Sequence, residues 1–322
     1  QDLDEIRIEK GTYECNGLEI PSSKTFKHGI KVSGGWDSGF KKQSDDAAVT
    51  VFDGGAKRID GIENSGQCEE AGGIWEAPGS WERPQCYQEK PTKLGILTVS
   101  ADGSVAIEGL SFQNGYSRNG GTIYGNGKVS IANCIFINNS AFVGGAVYNS
   151  GNITNSTFSN NSASENGGAV YCSATIINST FTQNIAENGG AIFCEKSGKS
   201  TIVNSTIVNN NGGGFYGKGT ILNTIFAQNK AGEEANDITP FNGDLHVDYT
   251  LVNNISGALD LGTHIIMGEP RFVDAENGDF HLRSDSPAID VGDDSVVEVE
   301  VDLDGNPRIV GGAIDLGAFE RQ

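Results

Sequence analysis

Between Gly109 and Asn229 the chain repeats itself about every 22 to 24 residues. Five segments align: NCIFINN from Asn133, NSTFSNN from Asn155, NSTFTQN from Asn178, NSTIVNN from Asn204 and NTIFAQN from Asn223. Between them fall GGTIY at Gly120, GGAVY at Gly144 and Gly167, GGAIF at Gly189 and a looser GGFY at Gly213. A fixed period this short marks a solenoid, in which each unit buries its face only against its neighbours. The units are short β runs between Asn and Gly turns, with no helical periodicity. The fold class is therefore all-β: a parallel β-helix, one coil per repeat, about a dozen coils long.

Stacking the coils turns each repeat position into a column along the axis. Ile131, Ile153, Ile176, Ile202 and Ile221 form one core column, and Phe136, Phe158, Phe181, Ile207 and Phe226 form the anchor column, because branched and aromatic side chains suit a buried pleated surface. Asparagines flank the anchor at Asn133, Asn155, Asn178, Asn204 and Asn223, and again at Asn139, Asn161, Asn184, Asn210 and Asn229. Asn tolerates left-handed backbone, and identical amides stacked at strand spacing can bond along the axis. Behind the glycine pairs stand Tyr124, Tyr148, Tyr171, Phe193 and Tyr216. With Ile123, Val147, Val170 and Ile192 inward, the strand period of two turns these rings outward, a candidate ligand strip for sugar rings or a partner. The alternative is that they pack inward or under a loop.

Four segments follow from the patterning: first coils at 1–60, a loop excursion at 61–93, the repeat body at 94–267, and an acidic region at 268–322 that completes or caps the helix. The formal net charge is −20, and the residues after Lys230 carry 20 of the 42 acids but only four of the 22 bases. No basic patch exists for phosphate, which disfavours nucleic acid. No apolar run is long enough to span a membrane. No signal peptide precedes Gln1, and the chain opens directly in a strand-like LDEIRIEKGTY, as if excised from something longer.

The six cysteines contain no CxxC, so a zinc or iron–sulfur site is not indicated. Cys68 and Cys86 bracket the excursion, and a disulfide closing it is the natural reading in an oxidising compartment. Cys172 and Cys194 share a column and read as stacked thiols rather than a bridge.

The FxxN and GGA[I/V] repeats resemble those of right-handed parallel β-helix proteins, including polymorphic outer-membrane-protein-type adhesins of bacteria. The tail, SPAIDVGD, DLDGNPR and GGAIDLGAFE, is similar to the C-terminal signature of choice-of-anchor Q bacterial surface proteins, and the opening EIRIEKGTY with GGW is similar to that group's first coils. The resemblance implies an extracellular or cell-surface β-helix.

Many β-helix proteins cleave polysaccharides, which requires clustered carboxylates on one coil face. From residue 104 to 230 the acids are Glu108, Glu165, Glu187 and Glu195. Glu165 and Glu187 share a turn column and are the weak catalytic candidates; solvated turn residues are the better reading. In the tail, Glu298, Glu300, Asp302 and Asp304 alternate along VEVEVDLDGN and, with Asn306, form a candidate Ca²⁺ set if the segment is a strand. The alternative is a charged edge strand with Arg308 as counter-ion. The expectation is a non-catalytic structural, adhesive or assembly protein, with a carbohydrate-active or glycan-binding β-helix as the alternative. Its partners would be a surface glycan or copies of itself, joined head to tail through the edge at Glu5–Ile8.

Overall fold

The computed structural model describes residues 96–322 except 100–103, 126, 150, 195–197, 233 and 258, together with the backbone of seven strands before residue 96. The chain is a parallel β-helix. A complete coil runs through Ile123–Gly125, Lys128–Ala132, Ile135–Ile137 and Ser140–Val143. We call the four resulting faces the first to fourth sheets. The third sheet is ten strands deep, from Gly11–Glu14 to Ile265–Met267. The first and second sheets join into one because Phe215–Leu222 crosses their corner as an unbroken strand.

Register makes the columns real. Phe112, Phe136, Phe158, Phe181, Ile207 and Phe226 are successive partners. All five residues of the expected anchor column have 0% exposure, as do Ile153, Ile176, Ile202 and Ile221. The rings lie face to face at 4.6 Å for Phe136–Phe158 and 4.7 Å for Phe158–Phe181, and the stack extends beyond the repeats to Phe112 and Phe52. Identical side chains in register can keep one rotamer from coil to coil, so the core packs at solid density without a search for complementary shapes.

The two asparagine columns do different work. Asn133, Asn155, Asn178, Asn204 and Asn223 sit at φ between 48° and 51°, bending the chain from the second sheet into the third. Left-handed backbone also turns the next corner, but on the residue before the other column: Asn138, Asn160, Gln183, Asn209 and Gln228. The second column is a ladder of buried amides. Asn139 Nδ2 donates to Asn161 Oδ1, Asn161 to Asn184, Asn184 to Asn210, and Asn210 to Asn229, each at 2.9–3.0 Å. Each Nδ2 also donates to the anchor-column carbonyl of the coil before, such as Phe136 O from Asn161. The ladder ends on Asp237, 1% exposed, whose Oδ1 accepts from Asn229 and whose Oδ2 accepts the backbone N–H groups of Asn253 and Asn254. An acceptor-only carboxylate suits the end at which every amide points its donors. Burial raises its pKa, and those hydrogen bonds oppose the shift.

A second ladder was not anticipated. The backbone N–H groups of Cys134, Ser156 and Ser179 donate to the hydroxyls of Ser156, Ser179 and Ser205 on the following coils. At the glycine pairs the first glycine, as at Gly144, has φ of 63°, while a Cβ on the second, Gly145, would collide with the carbonyl of Gly168. Cys172 and Cys194 are in register and buried, and no disulfide joins them.

The region after Gly268 lies along the flank of the stack. A hairpin of Phe272–Asp274 and Asp279–Leu282 and the loops after it run back over the third sheet, where Asn178 Nδ2 donates to Val301 O and Ala318 N donates to Thr206 Oγ1. The outer face of that sheet explains the docking. In its later coils the outward positions are apolar, and Val208 and Ala227 pack against Phe280 while Ile225 and Leu251 pack against Leu282, Ala288 and Leu316.

Phe158→Ala should cost about 3–5 kcal/mol of stability as a core truncation. Asp237→Asn turns one acceptor into a donor facing other donors and should cost about 1–3 kcal/mol. Equilibrium denaturation measures both; an Asp237→Asn protein as stable as the parent would remove the carboxylate from its role as terminator.

Candidate functional site

The docked tail leaves a cleft of about 600 Å³ beside it. Its floor is the outer face of the third sheet one to three coils before the apolar patch, where the two nearer coils present hydroxyls, Thr157 and Thr180 in one column and Ser159 and Thr182 in the next, and the furthest presents Ile135. Thr180 Oγ1 lies 3.1 Å from Thr157 Oγ1. The other wall is the turn Ala275–Asn277 with Phe280, Leu303, Asp304 and Phe319. The charged groups lining it are Glu276 and Asp304, both exposed; among the described residues no Lys or Arg lines the cleft.

Two features hold the wall. His281 bridges the hairpin to the tail loop, with Nδ1 2.6 Å from Asp279 Oδ1 and Nε2 2.6 Å from Asp304 Oδ2, and its ring lies 4.6 Å from that of Phe319. Only the imidazolium can donate to both carboxylates. Partial burial pulls its pKa down, but the hydrogen bonds and charges of Asp279 and Asp304 outweigh it and hold the ring above its ordinary value. Deeper in the tail, Arg308 is 1% exposed and faces Glu320, Asp302 and Asp315. Desolvation lowers the guanidinium to about 10, and it raises Glu320 to about 7. One guanidinium cannot neutralise three carboxylates, so the knot is most comfortable with a proton aboard.

The expected Ca²⁺ set is not assembled as a strand. Around it the structure has an isolated bridge, Val301 to Pro307, and turns. Asp302 is buried and its oxygens accept the N–H groups of Asp304, Asn306 and Glu320, while Glu298, Glu300 and Asp304 are exposed. The segment departs from alternation because Asp302 closes a turn over its own backbone, the familiar competition of a short acidic side chain with strand pairing. Among the described residues no group of three or more His, Cys, Asp or Glu side chains is placed to hold a metal ion.

Tyr124, Tyr148, Tyr171 and Tyr216 do face outward and are half-buried, whereas Phe193 is buried at 8%. The rings stack on one another at 4.9–5.3 Å, and Phe241 stands edge-on against Phe193 and Tyr216. Tyr148, Tyr171 and Phe193 thus have a ring on each side, leaving edges rather than faces for a sugar. Glu165 and Glu187 are exposed on adjacent coils, with the N–H groups of Glu187 and Asn188 donating to Glu165 O. The Cys68–Cys86 pairing lies outside the described residues.

The cleft was not read from the sequence, and of the knot only Arg308 as counter-ion to the acidic set was. The available signal was the outward column of the third sheet, which passes from Ser159 and Thr182 to Val208 and Ala227 and so makes NSTIV and NTIFA apolar on both faces.

Together these features define a parallel β-helix carrying its own C-terminal strap and a strap-walled cleft. The chain belongs to the family of periplasmic copper-binding proteins (NosD), whose profile matches residues 82–254. No curated protein matches it. Among solved structures, that of pectate lyase Pel9A is similar, at 14% identity and a TM-score of 0.49, over 99% of this chain and 88% of that one. Among the described residues no helix is long and apolar enough to cross a membrane.

Glu320 sets the sign of one pH effect. Its folded pKa lies above the ordinary glutamate value of 4.5, so between the two the folded tail keeps a proton that the unfolded chain has released. This contribution to stability is full below pH 4.5 and is lost as pH rises to about 7. Thermal melts across that window should show the decline in the parent protein and a flatter profile in Glu320→Gln; equal slopes would show that another group carries it.

Proposed function

We propose that the protein is a non-catalytic β-helix of the cell envelope that acts by adhesion, presenting its strap-bearing flank to an extracellular partner. The observation that carries this is the floor of the cleft: neutral hydroxyls at Thr157, Ser159, Thr180 and Thr182, set on a rigid sheet, with no carboxylate among them. Such a floor can recognise, and of the described residues no His, Asp or Glu stands among its hydroxyls to activate one as a nucleophile; the two carboxylates of the cleft, Glu276 and Asp304, stand on the opposite wall. The amides of the ladder are spent on the fold itself. A periplasmic family supports an envelope location.

The family's description names copper, and the described residues do not fit it. Copper(I) asks for accessible thiolates or thioethers, and copper(II) for imidazoles held together. Here Cys134 and Cys172 are buried thiols with pKa values pushed to about 12 by desolvation, and Cys194 is buried beside Cys172. His246 and His264 each pair with an aspartate, His281 with two, and Met267 stands exposed on the last strand of the third sheet. His28, Cys15, Cys68 and Cys86 lie outside the described side chains.

A second reading, end-to-end assembly, is supported by the far end of the stack. Asp260–Leu261 and Ile265–Met267 are terminal in their sheets, with Leu261 49% and Met267 63% exposed. Light scattering over a concentration series would reveal filaments as mass growth; a constant monomer mass removes this reading.

For the principal reading, co-sedimentation with a panel of insoluble polysaccharides should show binding with no release of reducing ends or unsaturated sugars. Product release that disappears in Asp304→Asn or Glu276→Gln would overturn it.

A further inference from the structure

We propose that the cleft beside the strap is a binding site for a neutral, hydroxyl-rich glycan segment of about two or three pyranose units. The inference rests on the reading that the protein works by binding rather than by catalysis, and it names the site and the class of ligand.

A packing gap would be lined as the rest of the strap interface is lined. Under the strap the outward columns hold Val208, Ile225, Ala227 and Leu251 besides Thr206, and Phe280 and Leu282 pack over the apolar ones. One coil further back the same two columns become Thr180 and Thr182, then Thr157 and Ser159, and the strap no longer fills the space. Thr206, the hydroxyl of the Thr180 column under the strap, is taken up by Ala318 N, whereas the four hydroxyls in the open part face the cleft, with Ile135 at its far end. Phe280 and the half-buried Phe319 end the apolar side, and the carboxylate of Asp304 is fixed there by His281.

The chemistry of the lining selects the ligand. Its volume of about 600 Å³ is that of a small-molecule or oligosaccharide pocket. The floor presents hydroxyl donor–acceptors in two columns that repeat at the strand spacing of roughly 4.8 Å. A pyranose chain laid along the axis would offer hydroxyls at a similar repeat, with the C–H face of a ring toward Phe319. An anionic chain is disfavoured, because the lining charges are Glu276 and Asp304, and the cation beside them, His281, is already shared between Asp304 and Asp279. An extended peptide is disfavoured too. It would need an open strand edge, yet the floor strands are interior to their sheet and their backbone groups are spent, as in Thr157 N to Cys134 O and Thr180 N to Ser156 O.

The test uses the chain as it stands, with cello-, manno- and xylo-oligosaccharides as neutral probes, polygalacturonate as the anionic comparator and a Ser/Thr-rich peptide as the third. Calorimetric titration should show at least one neutral oligosaccharide binding, with little dependence on salt. Ser159→Phe fills the floor from an outward position and should weaken that binding at least tenfold while the melting temperature holds. Thr182→Phe provides the same test from the next coil should Ser159→Phe fold poorly. Neutral binding that survives both substitutions in folded protein would overturn the site while leaving a non-catalytic binding role intact. Binding only of polygalacturonate or peptide, or of no probe, would overturn the assignment of ligand class. New reducing ends appearing during the titration would instead sink the non-catalytic reading, whatever the cleft binds.

Discussion

Everything else in this molecule is arranged around the hydrogen bond that each ladder amide makes to the amide one coil on. A coil must turn its backbone at the edge of a dry core, and the groups exposed there cost free energy if left unpaired. Asparagine at 139, 161, 184, 210 and 229 satisfies them with one side chain: its oxygen accepts a side-chain or backbone N–H from the preceding coil, and its nitrogen donates to the next oxygen and to an anchor carbonyl. Such a ladder works only if each coil repeats the last in register. Register then forces phenylalanine over phenylalanine and isoleucine over isoleucine, and it sets glycine where one coil's backbone nearly touches the next. The uniformity of the core follows from the polar corner rather than the reverse.

The end of the ladder shapes what comes after it. Asp237 takes up the last amide and ties in the following coil through Asn253 and Asn254. From there the regular columns stop, and the chain finds burial on the outside of its own third sheet. The strap is acidic, yet it folds because its charges are organised: Arg308 sits among three carboxylates, His281 between two, and Asp302 and Asp290 accept backbone donors that would otherwise go unpaired. Without these pairings the excess of carboxylates after Lys230 would repel the strap from itself.

The repeat made the solenoid, its core columns and its glycine corners legible before any coordinates, because each is a local pattern iterated in register. Tyr148 and Tyr171 could be placed on the outer surface from Val147 and Val170 alone. What they could not show was that each ring would take its neighbours' faces. The strap was harder still. It meets the body across sequence separations such as 70 residues for Asn223 to Asp293 and 112 for Thr206 to Ala318, and no periodicity encodes such contacts. The alternating carboxylates of VEVEVDLDGN imitated a strand, and only the closure of a turn by Asp302 dissolved the resemblance. The apolar outward residues at Val208 and Ala227 were the clue that a second layer was coming. They passed as ordinary β residues because an anchor column one position away already accounted for the segment.

The strap also imposes a ruler on a body that is otherwise free to change length. In a stack whose coils satisfy one another, duplicating a coil near the start adds one more equivalent rung and disturbs nothing downstream. Beneath the strap the same duplication would separate Asn178, Thr206 and Asn223, whose partners Val301, Ala318 and Asp293 are spaced along a tail of fixed reach. Growth and shrinkage of such a protein are therefore confined to the coils ahead of Asn178, and those under the strap are held to a set number.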